Sequence, residues 1–508
     1  MAGYLSCPGG DCSIAVGDAE RKVLVNGLDF FGQDSWQVNK KLNLNLGLRY
    51  DYYGPLHSNG GSDDLSVFIP GKALVIQGNG ISSIFPPDRN NFAPRFGFAY
   101  QPTSSADLVV RGGIGVFYDQ INMNPFLDFR PPNGGADGLE DNPAGPHPVS
   151  AYALGPFTAG SVGAPGAGGY TWTPGVDIFP GVTTCQSLNV ATDPSCGAAK
   201  YGVFSINQNF RTPYFYNYNL NIEKGLGQAA VLQVGYVGSE GRKLAVMLNI
   251  NQFGAFNAEY PNVATVNQLN SVGTSNYNAL QTTLKIRSFH GLTAQFAYTW
   301  SHTLDEISEY RGAIPLDSFD LKAEYGSGDF DTRQNFTTYW SYLIPGSSHG
   351  PAILTHGWEL SSLWTFHSGQ PIGETRPGLN QIGDPFAGVS HTFSKSGVTW
   401  YNVNAYCTPG PGCAGTTSFL GNVGRNQIVG PGYADVDLSV IKNIPITERV
   451  KVQLRAEMYN MFNRINLASG PGSVSGGVVS DTIGDFNGAP GIGPGEPFNM
   501  QLVGKIIF

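Results

Sequence analysis

The chain is short of charge. Asp, Glu, Lys and Arg make up 13% of its 508 residues, about half of the roughly 25% usual in globular domains. Ala/Glu/Lys/Leu-rich stretches of helical period are missing too, which excludes a helical bundle. No run approaches 18 consecutive apolar residues, so no transmembrane helix is encoded. There is no basic stripe, and the net charge is −9; nucleic acid, whose phosphates need Lys and Arg, is excluded as a partner. The first residues, MAGYLSCPGGDCSIAVGD, have neither a basic n-region nor an apolar h-region, so no signal peptide is expected there. That leaves a cytoplasmic chain or the back part of a longer exported one.

What is present points to β structure. Glycine is abundant at 68 residues and aromatics reach 12%. The six cysteines fall as three close pairs in Gly/Pro-rich sequence: Cys7 and Cys12, Cys185 and Cys196, Cys407 and Cys413. Local disulfides close the smallest loops and imply an oxidising compartment. CxxC spacing is missing and His391 is the one histidine near any pair, so zinc does not fit.

The stretch GLTAQFAYTWSHTLDE (291–306) shows the recurring pattern. Leu292, Ala294, Phe296, Tyr298 and Trp300 alternate with Thr293, Gln295, Ala297, Thr299 and Ser301. Such strict alternation is nearly twice as long as an ordinary soluble strand of five or six residues. LNLNLGLRYDYY repeats it, with Leu42, Leu44, Leu46, Leu48, Tyr50 and Tyr52 on one face. Period-2 reading gives thirteen strand candidates, at 22–38, 42–53, 92–101, 105–118, 213–226, 228–240, 276–288, 291–304, 332–344, 356–369, 433–443, 448–462 and 497–508. The connections between them run short, long, short, long, the long set being 54–91, 119–212, 241–275, 305–331, 370–432 and 463–496. The cysteine pairs all fall on the long side.

A soluble sandwich or propeller gives no reason to sort loops by length, and propeller repeats are not visible. A membrane barrel does, with short turns on the periplasmic side and long loops outside. Hydrocarbon leaves no water for backbone groups, so a sheet spans it only as a closed barrel. The expectation is an all-β, antiparallel, up-and-down transmembrane barrel wall of about thirteen strands with long extracellular loops. Tyr50, Tyr52, Phe117, Tyr118, Tyr214, Tyr216, Tyr218, Tyr298 and Trp300 stand at the long-loop ends of their strands and read as an outer aromatic girdle. Arg49, Arg111, Lys285, Arg287, Arg455 and Glu457 fall on the opposite, lumen-facing parity.

These residues also form a familiar ordered set. FFGQDSWQVNKKLNLNLGLRYDYYGPL (30–56), NFAPRFGFAYQP (91–102), VVRGGIGVFYDQ (109–120), TPYFYNYNLNIEKGL (212–226), VGYVGSEGRKL (234–244), SNYNALQTTLKIRS (275–288), FDTRQNF (330–336), GWELSSLWTFHSGQPI (357–372) and VQLRAEMYNMFNRINL (452–467) together resemble Oar-like TonB-dependent receptors. Each motif alone is degenerate; the ordered set covers nearly the whole chain. The resemblance implies a 22-stranded outer-membrane barrel with a plug in its lumen, often preceded by a carboxypeptidase-regulatory-like domain. Neither is visible here, nor is a TonB box. The expected organisation is therefore an extracellular loop remnant over 1–21 and the C-terminal part of the barrel over 22–508. An odd number of strands would precede it, nine if the barrel has 22. Phe508, ending GKIIF, matches the aromatic C-terminus presented to the barrel-assembly machinery. The 463–496 stretch is longer and richer in glycine than the family leads one to expect.

Enzyme motifs are missing: there is no GxSxG, HExxH or Walker A. Ser301, His302 and Asp305 are close in sequence, but triads are defined by geometry. RGGIG at 111–115 precedes no helix, so its glycines fit a strand with close neighbours, and GSEGR at 238–242 reads as a turn. Acidic stretches at Ser62–Asp64, Asp137–Asp141 and Asp329–Asp331 offer oxygen ligands for loop calcium, without EF-hand spacing; solvated carboxylates are the ordinary reading, and no resident cofactor is expected. Tyr170, Trp172 and Trp400 could stack on sugar rings or simply pack within loops. The expected role is energised passage of a large ligand, carbohydrate or protein, caught by the loops, with the TonB complex acting through a plug. The alternatives are a surface adhesin without transport and a secreted soluble β enzyme. The partners expected in every barrel reading are outer-membrane lipid and the assembly machinery.

Overall fold

The computed structural model describes residues 3–5, 13–17, 23–58, 66–78, 80–104, 107–120, 149–153, 170–172, 201–261, 263–309, 314–373, 375–392, 397–468, 474–479 and 497–508. Thirteen strands form one antiparallel path: β1 (Gly27–Asn39), β2 (Leu42–Tyr53), β3 (Phe92–Tyr100), β4 (Leu108–Tyr118), β5 (Tyr214–Leu226), β6 (Ala230–Asn249), β7 (Val263–Phe289), β8 (Leu292–Asp305), β9 (Gln334–Leu343), β10 (Trp358–His367), β11 (Tyr433–Pro445), β12 (Lys451–Tyr459) and β13 (Asn499–Ile507). Each pairs with its neighbours in sequence. The sheet is open, with β1 and β13 at its two edges.

Register turns the alternation into two faces. Leu46 lies opposite Phe96, Phe96 opposite Ile114, and Ile114 opposite Tyr218. One step along, Leu220, Tyr236, Leu280 and Trp300 form a second such row. The other face reads Asn45, Gly97, Gly113, Asn219, Val237, Ala279 and Ser301 across seven strands. The apolar rows are open to the surroundings: Ile114 is 53% exposed and Leu502 75%. Contiguous apolar surface of this extent does not survive in water, where each Å² costs about 25 cal/mol. Against lipid that cost vanishes. No helix among the described residues is long and apolar enough to cross a membrane; the crossing is made by strands.

The short connections are tight. Between β7 and β8, His290 (φ 48°) and Gly291 (φ 85°) form a two-residue link joining the Phe289–Leu292 pair. Two positive φ values in succession match the right-handed twist of the flanking strands.

Beyond the wall the chain builds a second unit. β6 and β7 run past the expected hydrophobic span, and Tyr201–Ile206 joins β7 in parallel. Against this extension pack a hairpin, Ser66–Ile69 with Ala73–Gln77, and the 81–85 stretch. Its core contains Leu56, Val67, Ile84, Phe204, Ile206, Phe210, Met247 and Leu269, all nearly inaccessible. This is a soluble-type core, apolar inward.

Some expected boundaries move. The first strand begins at Gly27 instead of residue 22, because Val23–Leu24 pairs separately with His57–Ser58. The supposed 241–275 loop is mostly ladder, reduced to 250–262, since both strands continue outward through register shifts at Gly241/Leu244 and Leu244/Ala245. GSEGR is correspondingly inside β6, not in a turn; its Gly238 leaves room for the Tyr218 ring, into which any Cβ would collide. Within the expected 1–21 loop segment, Gly3–Leu5 pairs with Tyr170–Trp172, and Ser13–Gly17 with Val149–Ala153. Both ladders tie it to the connection after β4.

Candidate functional site

Charges on the polar face pair with one another at the β1–β5 side. Arg49 donates from Nε to Asp51 at 2.7 Å and lies 3.1 Å from Asp29. Arg111 meets Glu223 at 2.9 Å, and Arg95 stands 4.3 Å over the Phe117 ring. That arrangement puts Phe117 on the polar face and takes it out of the expected girdle. Gly115 permits the contact, since a Cβ there would come within 3.2 Å of Arg95 and 3.0 Å of Phe117. On the far side, Arg455 pairs with Glu457 at 2.8 Å, and Tyr459 donates to the same carboxylate. Lys285 and Arg287 are exposed on β7.

At the long-loop end the rings gather. Tyr50 packs on Phe92 with centroids 5.1 Å apart, Tyr118 on Tyr214 at 5.7 Å, and Tyr218 on Tyr236 at 6.2 Å. Tyr298 and Trp300 are exposed, and Tyr52 is partly so. Phe508 is 91% exposed beyond β13.

The site with the densest chemistry lies between two long connections, 306–333 and 368–432. A cavity of about 600 Å³ opens there, lined in part by Glu306, Glu309, Glu324, Asp329, Arg376 and Arg425. Arg425 holds it together. Its guanidinium pairs with the Asp305 carboxylate at the outer tip of β8 and with Asp329 at 3.0 Å. It also donates to the backbone carbonyls of Asp305 and Glu324, both at 2.9 Å. Asn426 (φ 60°) donates to Asp329 at 2.7 Å and to the Ser327 carbonyl at 2.8 Å. Arg425 and Asp305 are both about nine-tenths buried, so the pair clamps one loop to the other and to the wall.

Deeper in the same loop, Cys407 and Cys413 are disulfide-bonded, with Cα atoms 5.9 Å apart. Asn380, fully buried, donates to the Thr416 carbonyl at 2.8 Å and toward Cys413 Sγ at 3.5 Å. Burial pushes the nearby Tyr406 phenol up. Trp400 stacks on His391 at 4.2 Å and spends its indole N–H on the Val429 carbonyl, so its ring is already covered. Cys7, Cys12, Cys185 and Cys196 lie outside the described residues, and of Tyr170 and Trp172 only the backbone pairing is described.

The sequence trio at 301–305 comes apart. Ser301 Oγ donates to the Thr332 carbonyl, His302 Nε2 faces Arg333 at 2.6 Å, and Asp305 belongs to Arg425. No nucleophile–base pair results. Of the acidic stretches, 62–64 and 137–141 fall outside the described residues. Asp329 is held by Arg425 and Asn426, and Asp331 by Arg333 at 2.6 Å and the Thr303 N–H at 2.8 Å. Among the described residues no group of three or more His, Cys, Asp or Glu side chains is placed to hold a metal ion.

Sequence reading missed Arg425, Glu324 and Asn426. The available signal was scarcity: 370–432 contains three cations, Arg376, Lys395 and Arg425. A rare charge inside a long Gly/Pro-rich loop needs a partner.

The family described as outer membrane beta barrel domain matches residues 2–501. No curated protein matches the chain. Similar solved structures include the ferripyoverdine receptor of the outer membrane of Pseudomonas aeruginosa bound to ferripyoverdine (10% identity, TM-score 0.42). The FrpB iron transporter from Neisseria meningitidis (12%, 0.43) and the outer membrane transporter YddB from Escherichia coli (10%, 0.45) are others. Each is covered over 95% or 96% of this chain, whereas the chain spans 39%, 45% and 54% of their respective lengths.

Proposed function

Since the chain belongs to the outer membrane beta barrel domain family and sits in the outer membrane, we propose that it is the wall and extracellular cap of an Oar-like, TonB-dependent receptor that passes a large ligand in an energised step. Residues 22–508 supply barrel, and 1–21 belong to an extracellular segment. The polar face carrying Arg49, Arg111, Lys285, Arg287, Arg455 and Glu457 lines the lumen and seats a plug. TonB acts through that plug. Tyr50, Tyr52, Tyr118, Tyr298 and Trp300 mark the outer lipid–water boundary, and Phe508 is the handle for the assembly machinery. Cys7 with Cys12 and Cys185 with Cys196 are read as further loop disulfides.

The observation that supports this reading best is the cavity clamped by Arg425 on the long-loop side of the wall. Its size is that of a ligand pocket, and it is built from two loops anchored to the same strand end. A structural barrel or adhesin has no need of a clamped cavity. The test compares periplasmic solutes, by mass spectrometry, between cells carrying the intact gene and cells lacking it. At least one solute should accumulate with the gene and disappear when a protonophore collapses the energy supply. Identical solute profiles, with a gene-dependent loss of cell adhesion instead, would favour the adhesin and overturn the receptor.

A further inference from the structure

We infer that the cavity between the 306–333 and 368–432 connections takes a cationic amphipathic ligand, an ammonium or guanidinium group carried on an apolar body. The inference rests on the receptor reading for its biological setting and deepens it by naming the ligand's chemistry. Among the described residues four carboxylates line the cavity, Glu306, Glu309, Glu324 and Asp329, against two guanidinium groups, Arg376 and Arg425. Arg425 is already paired with Asp305, which stands behind the lining, and with Asp329, so the three glutamates carry the excess charge. The described lining is therefore negative. Low-dielectric walls focus such a field and raise the local concentration of cations.

Glu324 makes the strongest case. It is 7% exposed, and it accepts the Leu316 N–H at 2.9 Å while forming no ion pair among the described residues. Burying a carboxylate without a cation is unfavourable because it loses its hydration, and an arriving ammonium or guanidinium offsets that loss. An anionic ligand would deepen it. Glu309 is exposed and also without an ion pair among the described residues, so it can meet the ligand first. Beside the polar Ser308, Thr408 and Asn426, the lining has an apolar part made by Ile307, Ile314, Leu316, Pro377 and Leu379. That surface rewards an aliphatic body and distinguishes the ligand from a bare inorganic cation, for which no ligand group is assembled among the described residues. A free alkylamine and a basic peptide segment share this chemistry.

The intact protein, purified in detergent, is titrated with three probes: the capped peptide Leu-Lys-Leu-Lys-Leu, the same peptide with Glu for Lys, and n-hexylamine. The Lys peptide should bind at least tenfold more tightly than the Glu peptide, and raising salt from about 50 to 500 mM should weaken it. Glu309→Gln should lower its affinity severalfold and Glu324→Gln at least tenfold. Arg376→Gln should leave it unchanged or strengthen it. If n-hexylamine binds with the same sensitivity to Glu309→Gln, the natural source is a free amine; if only the peptide binds, it is a basic peptide. Equal binding of the Glu peptide, or affinity indifferent to Glu309→Gln, overturns the proposal. Glu309 is exposed, so that variant stays informative even if Glu324→Gln disturbs the loop. Binding in detergent needs no energised uptake. Peptide binding with no solute accumulation in cells would sink the receptor and leave this inference standing.

Discussion

The wall and the extracellular cap solve opposite problems with the same residue types. In the wall, Ile114, Leu220 and Leu502 point outward and are about half exposed or more, while Asn45, Asn219 and Ser301 line the inner face. In the cap, Val67, Phe204 and Leu269 point inward and are almost wholly buried. The solvent explains the inversion. Hydrocarbon removes the penalty on an outward Leu and leaves backbone hydrogen bonding as the sole strict demand. Water restores the penalty, and the chain must then build a core. β6 and β7 cross from one regime to the other: Tyr236 and Leu280 are on the exposed apolar face, whereas Met247 and Leu269, further along the same two strands, are at most 1% exposed. One ladder carries both polarities, and the switch falls near the register shifts after Gly241.

The comparison breaks most visibly at Arg425, where cap and wall are joined. Arg425→Gln leaves Asp305 as a buried carboxylate without its cation, which typically costs about 3–5 kcal/mol. The loss should be local. Limited proteolysis should cut the 306–333 and 368–432 connections much faster than in the parent, while the heat-modifiable gel mobility of the barrel persists. Loss of both together would mean that cap and wall fold as one unit. Phe204→Ala comes next, removing one of the largest fully buried side chains of the cap core, at a cost of about 3–5 kcal/mol. Hydrogen exchange should rise over 66–78 and 201–210 and stay low in β9 to β11.

The wall has its own counterpart. Leu220 lies in the middle of β5 on the exposed apolar face, opposite Tyr236. Leu220→Arg should cost about 2–4 kcal/mol if that face meets the bilayer midplane and should reduce the folded fraction recovered in lipid vesicles. Gln281→Arg, on the inner face of β7, should be tolerated within about 0.5 kcal/mol. Equal damage from both would mean that the two faces do not differ in solvent, and the membrane reading of the wall would fail.

How much of this was legible in the sequence follows from the same contrast. Wall strands announce themselves because lipid on one side and water on the other impose strict alternation; all thirteen expected strands have a counterpart in the sheet. The cap is illegible by that rule. Val246, Met247 and Leu248 are consecutive and all buried, so period 2 is lost where the ladder leaves the membrane and is covered on both faces. Gly238 and Gly241 look like turn residues because glycine marks both turns and close packing, and here Tyr218 and Ser275 occupy the space. The clamp was hidden for another reason: Arg425 and Asp305 are 120 residues apart, and only tertiary structure joins them.

The smallest effect should come from the disulfide between Cys407 and Cys413, and it separates covalent from packed order inside the cap. The bond spans a sequence separation of 6, so a loop-entropy treatment gives it about 2 kcal/mol. Asn380, fully buried beside it, already fixes the same turn through the Thr416 carbonyl. With Cys407→Ser and Cys413→Ser together, hydrogen exchange should quicken over 405–418 alone, and the Arg425 clamp and the barrel's gel mobility should be unchanged. Faster exchange reaching Asp305 and Asp329 would show that the short covalent loop holds the clamp in place, and the cavity would then owe its shape to oxidation as much as to the buried ion pair.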